Sequence, residues 1–318
     1  EDGGGGGESK FPFNDLLVWT DAEVSTFAAQ ITLHNFSTYS KITPKEIMHY
    51  VKAKSASEKK ILCPNITKVV QQFNDFSNWG TTMICKQCLS QERVSVMSTL
   101  ISLLQELFSL NNLHSSLSLL STFSSAAVAR LKTSFEQIEP SKRAFLEDVK
   151  ERLSHLSSYK AYRDHIHGLN PPLVPYIGVY LTDLTFVNDG NPDLLQGLIN
   201  FSKCYKVARV IVEIQQYHTP YVSLTTDRLI QWALTNACFE NETESENYRL
   251  SKLVEGTDPE KAIRDLIMAE KALKQKIRKM ELQASLCSCG DDASGGSSNL
   301  DTSAVFSDFD LEGITSKF

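Results

Sequence analysis

The chain has no basic excess: 32 Lys and Arg stand against 38 Asp and Glu, a net charge of −6 and a pI near 5.7. A nucleic-acid binder would carry a basic balance or a basic stripe, and neither is present. Nor does any apolar run reach the length of a membrane span, and the opening EDGGGGGESK is acidic and glycine-rich rather than a basic segment leading into an apolar one. Cysteine is sparse and odd in number, seven residues scattered through helical-looking segments, which fits a reducing compartment better than a disulfide framework. The expectation is a cytoplasmic protein, with any membrane recruitment coming from a partner or from regions absent from this chain. Four sequons, at Asn35, Asn65, Asn200 and Asn241, carry no weight without an export signal. Cys85 and Cys88 have metal-like spacing but lack a second pair, and Cys287 and Cys289 lie in a Ser/Gly/Asp-rich tail, so no metal site is expected. His165 and His167 face opposite ways and lack a nearby carboxylate cluster. No glycine loop that could cradle phosphate is found, so no nucleotide or other cofactor is expected on this chain.

What remains is a long, patterned chain. Its 318 residues are 42% hydrophobic, ordinary for a globular protein with one large domain plus appendages or two small ones. Residues 1–13 cannot bury a core and are expected to be disordered. From Asp21 the apolar residues Val24, Phe27, Ala28, Ile31, Phe36, Tyr39, Ile42 and Ile47 recur as a buried set, and Pro44 starts a further short helix. Lys52 to Lys60 is a polar loop, after which Pro64 and Asn65 begin a long helical region closed by Asn111 and Asn112. A helix from Leu113, a charged helix from Lys142 to His155 and a further segment to His167 precede the break at Asn170-Pro171-Pro172. Residues 257–286 set a thin apolar seam among many charges, the pattern of a solvated helix able to pair weakly with another. Residues 287–318 are expected to form a disordered acidic tail.

The chain is organised around Pro175 to Gln216. Asp189-Gly190-Asn191-Pro192-Asp193 reads as a turn: Gly190 tolerates positive φ, Asn191 is pushed towards extended backbone by its proline, and Pro192 or Asp193 can open a helix. Behind it Phe201, Tyr205, Ala208, Ile211, Val212 and Gln215 return at helical spacing, which predicts an amphipathic helix of about six turns. In front of it, Tyr180, Thr182, Thr185, Phe186 and Val187 are strand-preferring types, and propensity alone makes Ile177 to Val187 extended.

These residues also carry a resemblance. NPPLVPYIGVYLTDLTFVNDGNPD and LINFSKCYKVARVIVEIQQY closely resemble the catalytic domain of Ras-type guanine-nucleotide exchange factors, the domain type of Son of sevenless. Supporting blocks are Ala28 with Gln30 to Leu33; Tyr39, Ile42, Pro44 and Glu46; Phe73, Asn74, Ser77 and Trp79; Glu92, Arg93 and Val94; and Leu110, Asn111 and Asn112. Gly80 and His114 depart from the pattern. The resemblance covers residues 14–256 and implies an all-α, multi-helix domain with a helical hairpin over residues 175–216. It therefore replaces the extended reading of the first arm by a helix.

The resemblance further implies a catalyst of nucleotide release that makes and breaks no covalent bond, acting on a Ras-subfamily small GTPase, with Ras or Rap favoured over Ral. Thr185 falls on the family position that obstructs the GTPase's magnesium site. Asp189 falls on the carboxylate that engages the phosphate loop, usually Glu in the family; a plain turn-forming Asp is the alternative. Leu117, Tyr159 and Tyr176 match positions that grip the second switch, and Val70 and Gln71 fall where the family often has an aliphatic and a basic residue. Leu117 and Val70 read equally well as core. Ser124 replaces an asparagine that braces the hairpin, with Asn191 and Pro192 supporting its turn. Asp189 and Ser124 also leave open an exchange-inactive, GTPase-binding adaptor.

Overall fold

Caps and prolines set many of the helix starts, and the computed structural model, which describes residues 16–53, 55–236 and 239–255, is helical almost throughout. A short 3-10 turn leads into α1 (Asp21–Tyr39). Thr20 accepts from the Glu23 amide while the Glu23 carboxylate accepts from the Thr20 amide, so two orphan donors of the first turn are satisfied at once. Thr43 and Glu46 repeat this box at α2 (Pro44–Lys52), with proline at the first position. The segment expected as a polar loop instead holds α3 (Ala56–Leu62), capped by Ser55. None of its residues is buried, which is why no apolar period marked it.

The long helical region divides into α4 (Pro64–Cys85) and α5 (Ser90–Ser109). Arg93, 2% exposed, holds the break by donating to the Gln87 and Cys88 carbonyls at 2.9 and 2.8 Å. Asn111 takes the left-handed conformation (φ 55°) that asparagine tolerates better than most residues. Asn112 caps α6 (Leu113–Ser124) and donates to Thr32 and Asn35 of α1 at 3.0 and 3.2 Å, so the Asn-Asn pair both turns the chain and pins it. Short helices α7 (Ala126–Ala129) and α8 (Lys132–Glu136) lead to α9 (Pro140–Arg152) and α10 (Leu156–His167). At the start of α10, Ser157, Ser158 and Tyr159 have left-handed backbone, φ 51°, 58° and 61°. Next come α11 (Ile177–Asp189), the antiparallel strands β1 (Leu194–Leu195) and β2 (Leu198–Ile199), and α12 (Phe201–Gln215). The described part ends with α13 (Arg228–Thr235) and α14 (Glu244–Val254).

The core forms where α1, α4, α5 and α6 meet. Phe76 and Trp79 stack with centroids 5.3 Å apart, and Phe27 closes on Trp79 at 6.0 Å. The departure at Gly80 has a packing cause: a Cβ there would stand 2.7 Å from the Thr122 hydroxyl, itself bound to the Ser77 carbonyl at 2.8 Å. The all-α architecture and the helical first arm agree with expectation. Backbone contacts divide the chain into two units, Glu1–Ala262 and Ile263–Phe318, and every described residue belongs to the first. The expected lead (1–13), charged helix (257–286) and tail (287–318) lie outside the described residues.

Candidate functional site

α11 buries one face and leaves one stripe bare. Ile177, Tyr180, Leu181 and Leu184 are buried, whereas Thr182, Thr185, Phe186 and Asp189, at helical spacing, are exposed. Burial of the apolar face overrides the β-branched content that made this arm read as extended. Thr185 donates to the Leu181 carbonyl at 2.9 Å, and Asp189, one turn further on the same face, is the last residue of the helix. Phe186, 67% exposed on this stripe, was read from sequence only as a strand former. The helix is held from the side by Arg163 of α10, which donates to Asp183 at 2.8 Å and to the Ser158 carbonyl at 3.1 Å.

The turn after Asp189 differs from the sequence reading. Gly190 keeps φ −83°, and the positive φ values fall at Gln196 (52°) and Gly197 (83°), between β1 and β2. Both central residues of that two-residue loop are therefore left-handed, as a type I′ hairpin requires. Pro192 and Asp193 do not open a helix; Asn200 does, accepting from the Lys203 amide while its side chain donates to the Pro192 carbonyl at 2.9 Å. α12 is accordingly 15 residues long, about four turns rather than six. Its buried line is Lys203, Val210 and Ile214, continued by Tyr217, and not the expected one: Phe201, Tyr205 and Val212 are 78%, 61% and 63% exposed. Asn191 ties the two arms, donating to the Val187 carbonyl at 2.8 Å and accepting from Lys206 at 3.1 Å.

Three of the expected contact residues and the expected hairpin support Ser124 come together at the base of α11. Leu117, Ser124, Tyr159 and Tyr176 line one groove of about 500 Å³ with Phe73 and Leu120. Tyr176 lies 4.9 Å from the Phe73 ring and 6.2 Å from Tyr159, its amide donates to the Tyr162 hydroxyl at 2.8 Å, and burial beside Tyr159 pushes its own hydroxyl up to about 12. Gly178 makes room for it, since a Cβ there would run into the Tyr176 ring. Val70 is exposed one turn before Phe73 on α4, while Gln71 opens into a neighbouring cavity lined by His34, Lys68 and Gln72. Ser124 is exposed at the end of α6, and its hydroxyl makes no hydrogen bond to α11 among the described residues. Leu117 is half-buried against the core, serving wall and groove together.

Lys203 falls outside the apolar set whose spacing predicts the second arm as an amphipathic helix. It is 8% exposed and joins the arms, with Nζ 2.7 Å from Asp193, 2.9 Å from the Asn188 side chain and 3.3 Å from the Asn188 carbonyl. The ammonium holds the Asp193 carboxyl below the usual carboxylate range. Cys85 is buried, its thiol pushed up to about 12 by desolvation, and Cys88 is exposed. No helix among the described residues is long and apolar enough to cross a membrane.

The site therefore combines an aromatic groove at Tyr159 and Tyr176 with an exposed stripe of α11 that ends at the Asp189 carboxylate, on an all-α domain. The chain belongs to the RasGEF domain family, whose model matches residues 26–205. It is 36% identical over 244 residues to Ras guanine nucleotide exchange factor K of Dictyostelium discoideum, covering 76% of this chain and 15% of that protein. It is 38% identical over 197 residues to factor W of the same organism, covering 61% and 17%. With the protein Son of sevenless of Drosophila melanogaster it shares 34% identity over 212 residues, covering 65% and 13%. The chain thus spans less than a fifth of the length of these relatives.

Proposed function

We propose that this chain accelerates GDP release from a Ras-subfamily small GTPase by presenting α11 to its switch and phosphate site. The observation that carries the reading is the stripe Thr182, Thr185, Phe186 and Asp189 on α11, ending in an exposed carboxylate that forms no ion pair among the described residues and accepts a bond from the Asn188 side chain at 3.4 Å. A picomolar nucleotide complex stores about 16 kcal/mol, so an exchange factor must offer contacts that form only as nucleotide loosens. In this reading the groove receives an apolar switch side chain, Thr185 obstructs the magnesium position, and Asp189 replaces phosphate as the anion at a site built for one. Linkage then makes the nucleotide-free GTPase the tightest-binding form. No covalent chemistry is involved.

The test is release of fluorescent GDP from Ras, Rap and Ral proteins by the 318-residue chain. The expected result is acceleration on Ras or Rap exceeding that on Ral. Binding to a GTPase with no acceleration on any of them would establish the adaptor instead, the reading favoured by the absence of a Ser124 bond to the hairpin.

A further inference from the structure

We infer that Lys203 is a positioning residue for exchange, holding the last turn of α11 while its pairing with Asp193 leaves the neighbouring Asp189 carboxylate free for the GTPase. This rests on the role given above to Asp189. The last carbonyls of a helix have no partners within it and must find them elsewhere. Here the Phe186 carbonyl accepts from the Gly190 amide at 2.9 Å and the Val187 carbonyl from the Asn191 side chain at 2.8 Å. The Asn188 carbonyl accepts from Lys203, which also binds Asn188 Oδ1 and Asp193. An ammonium has three donors, and these three partners use them all.

A surface lysine would be too mobile for this work, but the Lys203 side chain is only 10% exposed. A buried ammonium is held where its partners are, because leaving it unpaired in a low dielectric is expensive. Val210, Ile214 and Tyr217 anchor the same line of α12 to the core, so Lys203 carries the position of the packed helix to the end of α11. The charge balance matters as much as the bonds. Asp189 follows Asn188 directly, so an unneutralised ammonium at this spot would compete with the GTPase for its carboxylate. Asp193 takes that charge, and Asp189 forms no ion pair among the described residues.

The experiment measures fluorescent GDP release from Ras against concentration of the 318-residue chain and of its variants. Lys203→Met is expected to lower the maximal rate about tenfold while the half-saturating concentration moves by less than about twofold, because binding through the groove is retained. Lys203→Arg should keep at least about a third of the rate, since a cation still caps the helix. In an Asp189→Ala background, Lys203→Met should cost less than about twofold more, as expected for residues acting through one another. Wild-type rate in Lys203→Met, or losses that multiply in the double variant, would overturn the proposal. If circular dichroism shows Lys203→Met unfolded, Asn188→Ala, which removes one of its partners, takes its place with the same expectations. Slowing by Asp189→Ala without slowing by Lys203→Met removes this proposal alone. An Asp189→Ala variant that releases GDP at the wild-type rate, or no release from any GTPase, removes the underlying reading as well.

Discussion

Asp189 sits where its own helix opposes it. The C-terminal end of a helix carries partial negative charge, and an exposed anion there is destabilised by about 0.3–1 kcal/mol. Capping would be the usual compensation, yet the free carbonyls are taken by Gly190, Asn191 and Lys203. Asp189 forms no ion pair among the described residues and accepts a long bond from the Asn188 side chain at 3.4 Å, and the role proposed for it at the GTPase would account for a carboxylate kept in this place. Asp189→Asn retains size and turn preference and removes the charge, so GDP release should fall about tenfold or more through loss of a charge-assisted contact worth about 1.5–3 kcal/mol. Asp189→Glu, with longer reach, should release GDP at least as fast as the wild type. The Glu variant should melt with the wild type and the Asn variant slightly above it, because Asn removes the charge that the helix end opposes; an Asn variant at full rate beside an impaired Glu variant would return Asp189 to a turn former.

At the scale of elements, α12 shows how a correct helix can be given the wrong face. Phe201, Tyr205, Ala208 and Val212 form a genuine apolar period, but the core lies under Val210 and Ile214, with Lys203 on the same line. The physical consequence is an asymmetry in stability. Ile214→Ala should destabilise by about 2–5 kcal/mol, the usual range for truncating a buried aliphatic side chain. Phe201→Ser, at a position 78% exposed, should change stability by less than about 0.5 kcal/mol despite removing more apolar surface. Urea unfolding followed by circular dichroism distinguishes the two, and a large loss for Phe201→Ser would mean that this stripe is covered in solution. The left-handed residues that open α10 belong to the same scale. Three successive non-glycine residues with positive φ are costly, and the Arg163 bond to the Ser158 carbonyl helps to hold them while Tyr159 faces the groove.

For the whole molecule, acid should act through buried imidazoles. His114 is buried, both ring nitrogens lack hydrogen-bond partners among the described residues, and its ring sits 5.6 Å from Phe73, which lines the groove. Burial pulls it down to about 4 from an ordinary 6.5, and burial beside Lys68 does the same to His34. A histidine with a depressed native value stabilises the fold fully above its unfolded value, and that contribution is lost as pH falls from about 6.5 towards 4, because the unfolded chain takes the proton first. For His114 the loss at pH 5 is about 2 kcal/mol. His114→Asn should therefore flatten the difference in unfolding free energy between pH 7 and pH 5 by about that amount, whatever it does to stability at pH 7. An unchanged difference would show that the ring is already hydrated in the fold.

Much of the architecture was legible because it is local. Thr20 with Glu23, Thr43 with Glu46, and the prolines at 44 and 64 announce helix starts through bonds made within a few residues, and the long motifs of the RasGEF domain family named the fold and the helical hairpin outright. The residues of the groove, Leu117, Tyr159 and Tyr176, were likewise chosen from the pattern, and the fold brings them together. What composition and period could not supply is which of two apolar faces meets the core, because both faces of α12 obey the same helical spacing and only its neighbours differ. For that reason the spacing alone puts Phe201 on the apolar face and leaves Lys203 off it. The strand pair at 194–199 escaped for a related reason: its four apolar residues are exposed, so no alternation between core and solvent marks them. Sequence alone determined where helices such as α1, α2 and α4 begin and which family the chain belongs to. The tertiary structure decided where a charge could be buried, since Lys203 becomes an interior residue only when Asn188 and Asp193, distant from it along the chain, are folded back to satisfy it.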